Sequence, residues 1–277
     1  MIIFDNHLHL RRDGRYIEAV KDFLRTGGTH FVLCQYPMVR KVIKDKTYKN
    51  VFQQTVDMAD EIQQKLDVTV YTTVGPYPVD YLLLKETVGR QQAIDLMKTG
   101  MEIAAKFCDE GKSIGIGEIG RPHFAVGQEI MDDSNMILSY GMKQAKEVNV
   151  PIVLHTESTT SNQCKELVEM GKKVGLSSGK IVKHFSPPLV LPEENFGLMP
   201  SVLANKKNIR KAIKKGTRFM METDYIDDPK RPGAVLGPKT VPRRTHELLE
   251  KELATEEDLS KIHKENPEKT YGIKLNE

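Results

Sequence analysis

The chain has 277 residues, and its 41 Lys and Arg residues nearly balance its 38 Asp and Glu residues, which leaves a formal net charge of +3 at pH 7. Hydrophobic residues make up 39% of the chain and charged residues 29%, which excludes a disordered polyelectrolyte and a collagen-like fibre. A chain of this length fits one large α/β barrel or two small domains. The small net charge argues against a protein that coats duplex nucleic acid through many phosphate contacts.

The first residues and the cysteines bear on the compartment. The first acid, Asp5, follows only four residues, whereas a secretory signal needs a basic segment and a longer apolar one. No run of 18 apolar residues occurs, so we expect no membrane helix and predict a cytoplasmic protein. Cys34, Cys108 and Cys164 are widely spaced and odd in number, which argues against a disulfide framework and a cysteine zinc site. We expect three buried thiols.

Short β-branched apolar runs alternate with longer amphipathic stretches, a pattern that predicts strand–helix–strand units and a parallel sheet. The predicted strands span residues 2–6, 30–35, 68–74, 113–118, 151–155, 180–184, 198–203 and 218–223. Eight units of roughly 35 residues are typical of a (β/α)8 TIM barrel. We therefore predict one α/β barrel domain over residues 1–277, with C-terminal helices from about Thr240.

Basic residues are concentrated in three predicted segments outside the strands. We predict long loops over residues 36–50 and 225–244, and expect both to shape a substrate site. A helix is predicted over residues 205–215, where Ile209, Ala212 and Ile213 share one face and Gly216 follows the end. The lysines and arginines of this helix are more typical of the solvated face of a barrel helix than of a nucleic-acid patch.

Metal-binding residue types stand at the ends of five predicted strands, where the loops of a barrel converge. In the sequence DNHLH, His7 and His9 have the period-two spacing that points both side chains to one side of an extended chain. The remaining strand ends contribute single ligand types, namely Glu118, His155, His184 and Asp224. Each residue alone is weak evidence, but burial of four imidazoles and two carboxylates together requires compensation, which metal ions supply. The set predicts a site for zinc-like ions.

The motifs around these residues resemble those of the TatD-related metal-dependent hydrolases of the amidohydrolase superfamily. They are FDNHLH at 4–9, GEIG at 117–120, PIVLH at 151–155, HFS at 184–186, ETD at 222–224 and, more weakly, NP at 266–267. Their order and spacing cover nearly the whole chain. The resemblance implies a site for two ions with one bridging carboxylate. The implied ligands are His7, His9 and Asp224 for one ion, His155 and His184 for the other, and Glu118 for the bridge.

The residues around this implied metal shell depart from the family pattern. Glu157 stands where the family usually has an arginine, two residues after the fifth-strand histidine, and the sequence RPH replaces leucine-aspartate after the fourth-strand motif. Two prolines follow HFS in place of glycine. We predict substrate contacts for Arg121, His123 and Glu157, with Arg121 or Lys183 as substitutes for the missing arginine.

Two reactions agree with the implied site. Two divalent ions, zinc first and magnesium or manganese as alternatives, provide a metal-bound hydroxide near neutral pH, and Asp224 and Glu118 are the predicted catalytic carboxylates. The resemblance and the basic segments favour phosphodiester hydrolysis of a short or single-stranded nucleic acid or a nucleotide. The alternative is an amidohydrolase, esterase or lactonase that cleaves a C–N or carboxylic ester bond of a small molecule, which the extra carboxylate of Glu157 favours.

The other histidines are not part of this predicted site. His30 begins the second predicted strand, and His246 and His263 lie in the C-terminal helices, so we expect packing or solvent exposure for all three. Asn6 and Ser186 are candidates for side chains that support the metal ligands.

Overall fold

The computed structural model describes residues 1–276 and contains one curled, all-parallel sheet. Its strands are β1 Phe4–His9, β2 His30–Cys34, β3 Thr69–Val74, β4 Gly115–Gly120, β5 Ile152–His155, β6 Ile181–Ser186, β7 Met199–Leu203, β8 Met220–Glu222 and β9 Tyr225–Ile226. They are hydrogen-bonded in the order β8-β7-β6-β5-β4-β3-β2-β1-β9. Every strand from β1 to β8 therefore lies beside its neighbour in sequence, as in a barrel.

The sheet closes through the short strand β9. Only Thr223 and Asp224 separate β8 from β9, and β9 pairs with β1 through Leu8 with Tyr225 and His9 with Ile226. The segment from β8 to β9 thus acts as one interrupted strand that joins both edges of the sheet. The predicted (β/α)8 TIM barrel is confirmed.

Helices connect the strands and surround the sheet. They are α1 Ile17–Leu24, α2 Val39–Asp45, α3 Lys49–Lys65, α4 Asp80–Val88, α5 Arg90–Asp109, α6 Gln128–Glu147, α7 Ser161–Lys173, α8 Pro192–Asn195, α9 Lys206–Ile213, α10 Thr240–Glu250, α11 Glu256–Ser260 and α12 Asn266–Tyr271. The largest apolar cluster lies where α3 to α7 pack on β3 to β6, with Leu138 and Leu167 against Ile116 and Leu154. Burial of each such side chain contributes about 1.5–3 kcal/mol.

The C-terminal segment closes the end of the barrel opposite the strand ends that carry the predicted site. Tyr271 packs with Val153 and Val182 inside the sheet, and Leu275 packs with Phe4. The Tyr271 hydroxyl donates a hydrogen bond to Asn6 Oδ1 at 3.0 Å. A closed lower end leaves the strand ends with the histidines as the open face.

The predicted strands all exist, with ends shifted by at most three residues. The most useful shift is in β1, which extends to His9, so that both histidines of the DNHLH motif lie within the strand. The predicted helix over residues 205–215 is confirmed as Lys206–Ile213, and the Asn205 side chain accepts a hydrogen bond from the Asn208 N–H at 2.9 Å at its start. The helices from Thr240 onward are also confirmed.

The predicted loops were wrong in their conformation. Residues 36–50 contain α2 and the start of α3, because Val42 is fully buried and Val39 and Ile43 pack on the apolar cluster at helical spacing. Residues 225–244 contain β9 and the start of α10. Both segments still lie at the open face of the barrel, since they follow β2 and β8.

Two further observations concern the cysteines and the helices. Cys34, Cys108 and Cys164 are free and buried. Among residues 1–276, no helix combines the length and the apolar character needed to cross a membrane.

Candidate metal centre

The two histidines of β1 meet at the open end of the barrel. Both are buried, and their Nε2 atoms lie 3.2 Å apart. The other ring nitrogens face Cys34 of β2, with His7 Nδ1 3.1 Å from the thiol and His9 Nδ1 3.2 Å from the carbonyl oxygen. These contacts fix both ring orientations, so that the Nε2 atoms point into the same space.

Glu118 of β4 lies at the middle of the site. Its Oε1 is 2.9 Å from His155 Nδ1 and 3.2 Å from His184 Nε2. His7 Nε2 is 3.7 Å from the same oxygen, and His9 Nε2 is 3.3 Å from Oε2. One buried carboxylate therefore contacts imidazoles from three different strands.

Gly120 allows β4 and β5 to approach closely beside this carboxylate. Its φ is +144°, and a Cβ atom here would stand 2.1 Å from the carbonyl oxygen of His155. A side chain cannot be accommodated at this point, since the obstacle is backbone. The glycine after Glu118 thus keeps the strand ends that carry Glu118 and His155 together.

Asp224 occupies the break between β8 and β9. Its φ of 47° is left-handed, which is costly for a residue other than glycine, and its N–H donates to the His7 carbonyl at 2.9 Å. Next to it, Thr223 donates to the Asp5 carboxylate from its N–H at 2.9 Å and from its hydroxyl at 2.6 Å. These bonds hold Asp224 Oδ1 at 3.9 Å from His7 Nε2 and 3.8 Å from His9 Nε2.

Glu222 supports the centre and was not predicted as a functional residue. It is fully buried, and its Oε1 accepts a hydrogen bond from the Phe185 N–H at 2.7 Å. The same oxygen lies 3.0 Å from His184 Nδ1, and the other accepts from the Ser201 hydroxyl. Burial raises the pKa of Glu222 to about 8. Its position in the ETD motif, at the end of the eighth strand, was a usable signal.

The two predicted supporting side chains have different contacts. Asn6 donates to the Ser201 hydroxyl at 2.9 Å, and so reaches His184 only through Ser201 and Glu222. Ser186 donates to the carbonyl of Pro187 at 2.8 Å.

Two adjoining cavities open above the histidines. The first has a volume of about 360 Å³ and is lined by residues that include His9, Tyr77, His123, Asp224 and Arg231. The second has a volume of about 290 Å³, and its walls include Glu157, Lys183 and Phe185. His155 lies at both cavities, where its Nε2 is 2.9 Å from His123 Nδ1 and 3.2 Å from the Tyr77 hydroxyl.

The structure brings two of the three predicted substrate residues to these cavities. His123 and Glu157 line them, whereas Arg121 is buried beside them in a separate polar cluster. The Arg121 guanidinium donates to Asn135 at 2.6 Å and to Glu166 at 2.5 Å, and it lies 3.4 Å from Glu157. Its donors are therefore already engaged by the protein.

Lys183 differs from Arg121 because it lies on a cavity wall. The side chain is buried, and its ammonium donates to the carbonyl of His184. Burial lowers the pKa of Lys183 to about 8, while the carboxylates of Glu222, Glu157 and Glu118 oppose that shift.

The donor set fits divalent metal ions. Two groups, His7–His9–Asp224 and His7–Glu118–His184, each have ligand atoms within 4.8 Å of one another. Burial lowers the pKa of His7 and His184, so both imidazoles are neutral and offer lone pairs. Imidazole and carboxylate ligands with supported ring orientations are typical of catalytic metal sites.

A parallel barrel with buried histidines and carboxylates at the carboxyl ends of its strands defines the class of metal-dependent barrel hydrolases. Residues 4–272 match the family model described as TatD related DNase, and the chain belongs to this family. It is a metal-dependent hydrolase of the TatD type, as the sequence motifs predicted.

Two proteins are similar to this chain in sequence. An uncharacterized protein of Methanocaldococcus jannaschii is 38% identical over 280 residues, which cover 99% of this chain and 96% of that protein. A protein of Bacillus subtilis described as an uncharacterized metal-dependent hydrolase is 24% identical over 230 residues, which cover 79% of this chain and 84% of the relative.

Solved structures share the fold at low sequence identity. The phosphotriesterase homology protein of Escherichia coli, complexed with phosphate in its active site, superimposes with a TM-score of 0.61 at 14% identity and covers 97% of this chain and 98% of its own. A TatD homolog of the same organism gives a TM-score of 0.59 at 16% identity, with 98% of both chains covered. A mutant of a phosphotriesterase-like lactonase from Deinococcus radiodurans gives 0.62 at 13% identity, covering 92% and 85%.

Proposed function

We propose that the histidine–carboxylate centre binds two divalent ions, zinc in the first place, and that the protein hydrolyses phosphodiester bonds of short or single-stranded nucleic acids or nucleotides. The convergence of four histidines and two carboxylates on one point of the open barrel end is the observation that carries this proposal. The family description supports the phosphodiester as the scissile group.

The ligands divide between the ions around Glu118. One ion would be held by His7, His9 and Asp224, the other by His155 and His184, with Glu118 shared by both. The position of Glu118 supports the sharing, because its two oxygens face histidines on opposite sides, with His9 3.3 Å from Oε2 and His155 2.9 Å from Oε1.

The residues around the ions suit an anionic ester. Bound divalent ions supply Lewis acidity and lower the pKa of water. Asp224 lines the first cavity, where its carboxylate is placed to accept a proton from water. Lys183 and Arg231 provide positive charge on the walls, and Tyr77 and His123 provide hydrogen-bonding groups beside His155. Together they favour a phosphodiester held above the centre.

A second candidate function is hydrolysis of a carboxylic ester or a C–N bond. Glu157 lines the second cavity, and its Oε2 is buried without a hydrogen-bond partner among the residues that the structure describes. Such an acceptor favours a substrate with a hydroxyl or amine group and repels a polyanion.

One substrate panel separates the two candidates. The purified protein, with its metals counted, is offered single-stranded and duplex oligonucleotides, bis(p-nitrophenyl) phosphate, lactones, acyl esters and amides, each with and without a chelator. We expect cleavage of the phosphodiesters that chelation abolishes and added zinc restores, with single strands cleaved faster than duplexes. Cleavage of the carboxylic substrates alone would establish the second candidate and contradict the first.

A further inference from the structure

A cavity larger than the one above the histidines lies beside the metal centre, at the open face of the barrel. Its volume is about 710 Å³, against about 360 Å³ for the cavity above the histidines. It lies between the residues after β1, the segment that joins β2 to α2, and one face of α3. Neither the metal ligands nor their supporting residues, apart from Cys34, form its walls.

Apolar side chains form the deep part of this cavity. Leu10, Leu33, Val51 and Met58 line it, and each is buried in the core clusters on its other side. Gln54 stands half-buried on the same face of α3. A concave apolar wall with a few polar groups at its edge is typical of a site for the apolar part of a small molecule.

Tyr36 connects this cavity with the metal centre. Tyr36 and Pro37 line both the large cavity and the one above the histidines. The Tyr36 ring centroid lies 6.3 Å from that of His9, and the Arg11 guanidinium lies over the Tyr36 ring, 5.0 Å from its centroid. A ligand that passes Tyr36 can therefore occupy both cavities at once.

The outer edge of the cavity is positively charged. Arg40 is exposed, and Lys41 is half-buried with its ammonium 3.3 Å from Gln54 Oε1. Within residues 1–276, neither has a carboxylate at ion-pair distance, whereas Arg12 in the same wall is paired with Glu61. The edge thus adds positive potential at the mouth of the cavity, which attracts an anionic ester to this face of the barrel.

We propose that this cavity is a subsite for an uncharged alkyl or aryl group of the substrate, and that the favoured substrates are phosphodiesters with one such apolar arm. The inference rests on the proposed function, because it places the scissile ester at the histidine centre and the arm beyond Tyr36. Transfer of the arm from water to the apolar wall supplies the binding energy.

The kinetic test uses methyl, butyl and octyl p-nitrophenyl phosphate diesters with the metal-loaded protein. We expect kcat/KM to rise with chain length by up to about fourfold for each methylene that is buried. In Gln54→Trp the indole fills the cavity, so the octyl-to-methyl ratio of kcat/KM falls at least tenfold. Val51→Phe, which fills the deep wall, has the same effect and serves if the first variant does not fold. Gln53→Trp, on the neighbouring position of α3 outside the cavity, is the control and keeps the wild-type ratio.

A binding measurement is independent of catalysis. Anilinonaphthalene sulfonate, an aryl anion, is titrated into the folded protein after chelation, and we expect saturable fluorescence for wild type and Gln53→Trp that is lost in Gln54→Trp. If no diester is cleaved but this pattern holds, the proposed function fails and the apolar site stands. If the methyl diester is cleaved while chain length has no effect and the dye does not distinguish the variants, the apolar site is overturned and the proposed function stands.

Discussion

Two regions of the molecule bury histidine, and they do so in opposite ways. His263, in the C-terminal segment, is fully buried and stands alone. Its Nδ1 lies 3.2 Å from both the N–H nitrogen and the carbonyl oxygen of Phe4, and its Nε2 lies 2.8 Å from the Thr245 hydroxyl. That hydroxyl donates to the carbonyl of Val241 at 3.0 Å. Each nitrogen of this ring is satisfied within the protein.

At the metal centre, by contrast, the imidazole nitrogens face one another. His7 and His9 present Nε2 atoms 3.2 Å apart, and a shared carboxylate, Glu118, lies among the rings. Four rings and two carboxylates converge on one another from distant parts of the chain. Burial of a histidine is therefore no sign of function by itself, whereas convergence of ligand atoms from distant strands is.

The largest effect is expected from removing the shared charge. Glu118→Gln keeps the shape of the side chain but takes away the carboxylate that four histidines face. We expect the metal content to fall from about two ions per chain to one or none, and kcat/KM on the best substrate to fall at least about a thousandfold, on the order of 4 kcal/mol. Elemental analysis of protein purified without added metal and steady-state kinetics measure the two quantities.

The matched control is the other buried histidine. His263→Gln keeps a donor and an acceptor at the isolated site, and we expect wild-type metal content and activity from it. Wild-type metal content in Glu118→Gln, or loss of metal in His263→Gln, would remove the distinction between the two regions.

A smaller effect is expected from acid at the isolated site. Burial lowers the pKa of His263 to about 4, from an ordinary value of 6.5. Between these two values the unfolded chain binds a proton at His263 and the folded chain does not. The contribution of this group to stability is therefore present above pH 6.5 and is lost as the pH falls through about 4. The loss amounts to about 3 kcal/mol in the free energy of unfolding. The free energy of unfolding is measured with denaturant at a series of pH values for wild type and for His263→Gln. The difference between the two isolates the contribution of His263, because both proteins have all other titratable groups in common.

We expect the stability difference between wild type and His263→Gln to shrink from pH 7 to pH 4. A pH-independent difference for His263→Gln would mean that the buried ring accepts a proton in the folded state as readily as in the unfolded one.

The barrel and the six converging residues could be predicted from the sequence because both depend on strand periodicity. Each buried strand is a short apolar run, and each ligand type stands where such a run ends. β9 was missed, since two residues between polar neighbours give no periodic signal. α2 was missed for a similar reason, because its seven residues include four charged ones and only Val42 is fully buried.

The supporting contacts depend on side-chain directions that the sequence does not fix. Cys34 reads as an ordinary core thiol, yet it contacts both histidines of β1. The sequence predicts Arg121 as a free cation near the site. In the structure its guanidinium donates to Glu166, forty-five residues later on α7, and does not line the cavities. Pairs so distant in sequence meet only through the closed barrel.

The smallest effect is expected at Lys183, which shares one feature with each of the two regions. Its side chain is buried, as that of His263 is, but it lines a cavity beside His184. If its charge serves an anionic substrate, Lys183→Met raises KM for phosphodiesters about tenfold, the size of one lost charge-assisted hydrogen bond, and leaves kcat less affected. Lys180→Met, directly before the first residue of the same strand, is the control, because the ammonium of Lys180 donates to the carbonyl of Asn149 at 3.3 Å. Equal KM values for both variants would make Lys183 a packing residue, and would leave Arg231 and the ions as the positive charge at the centre.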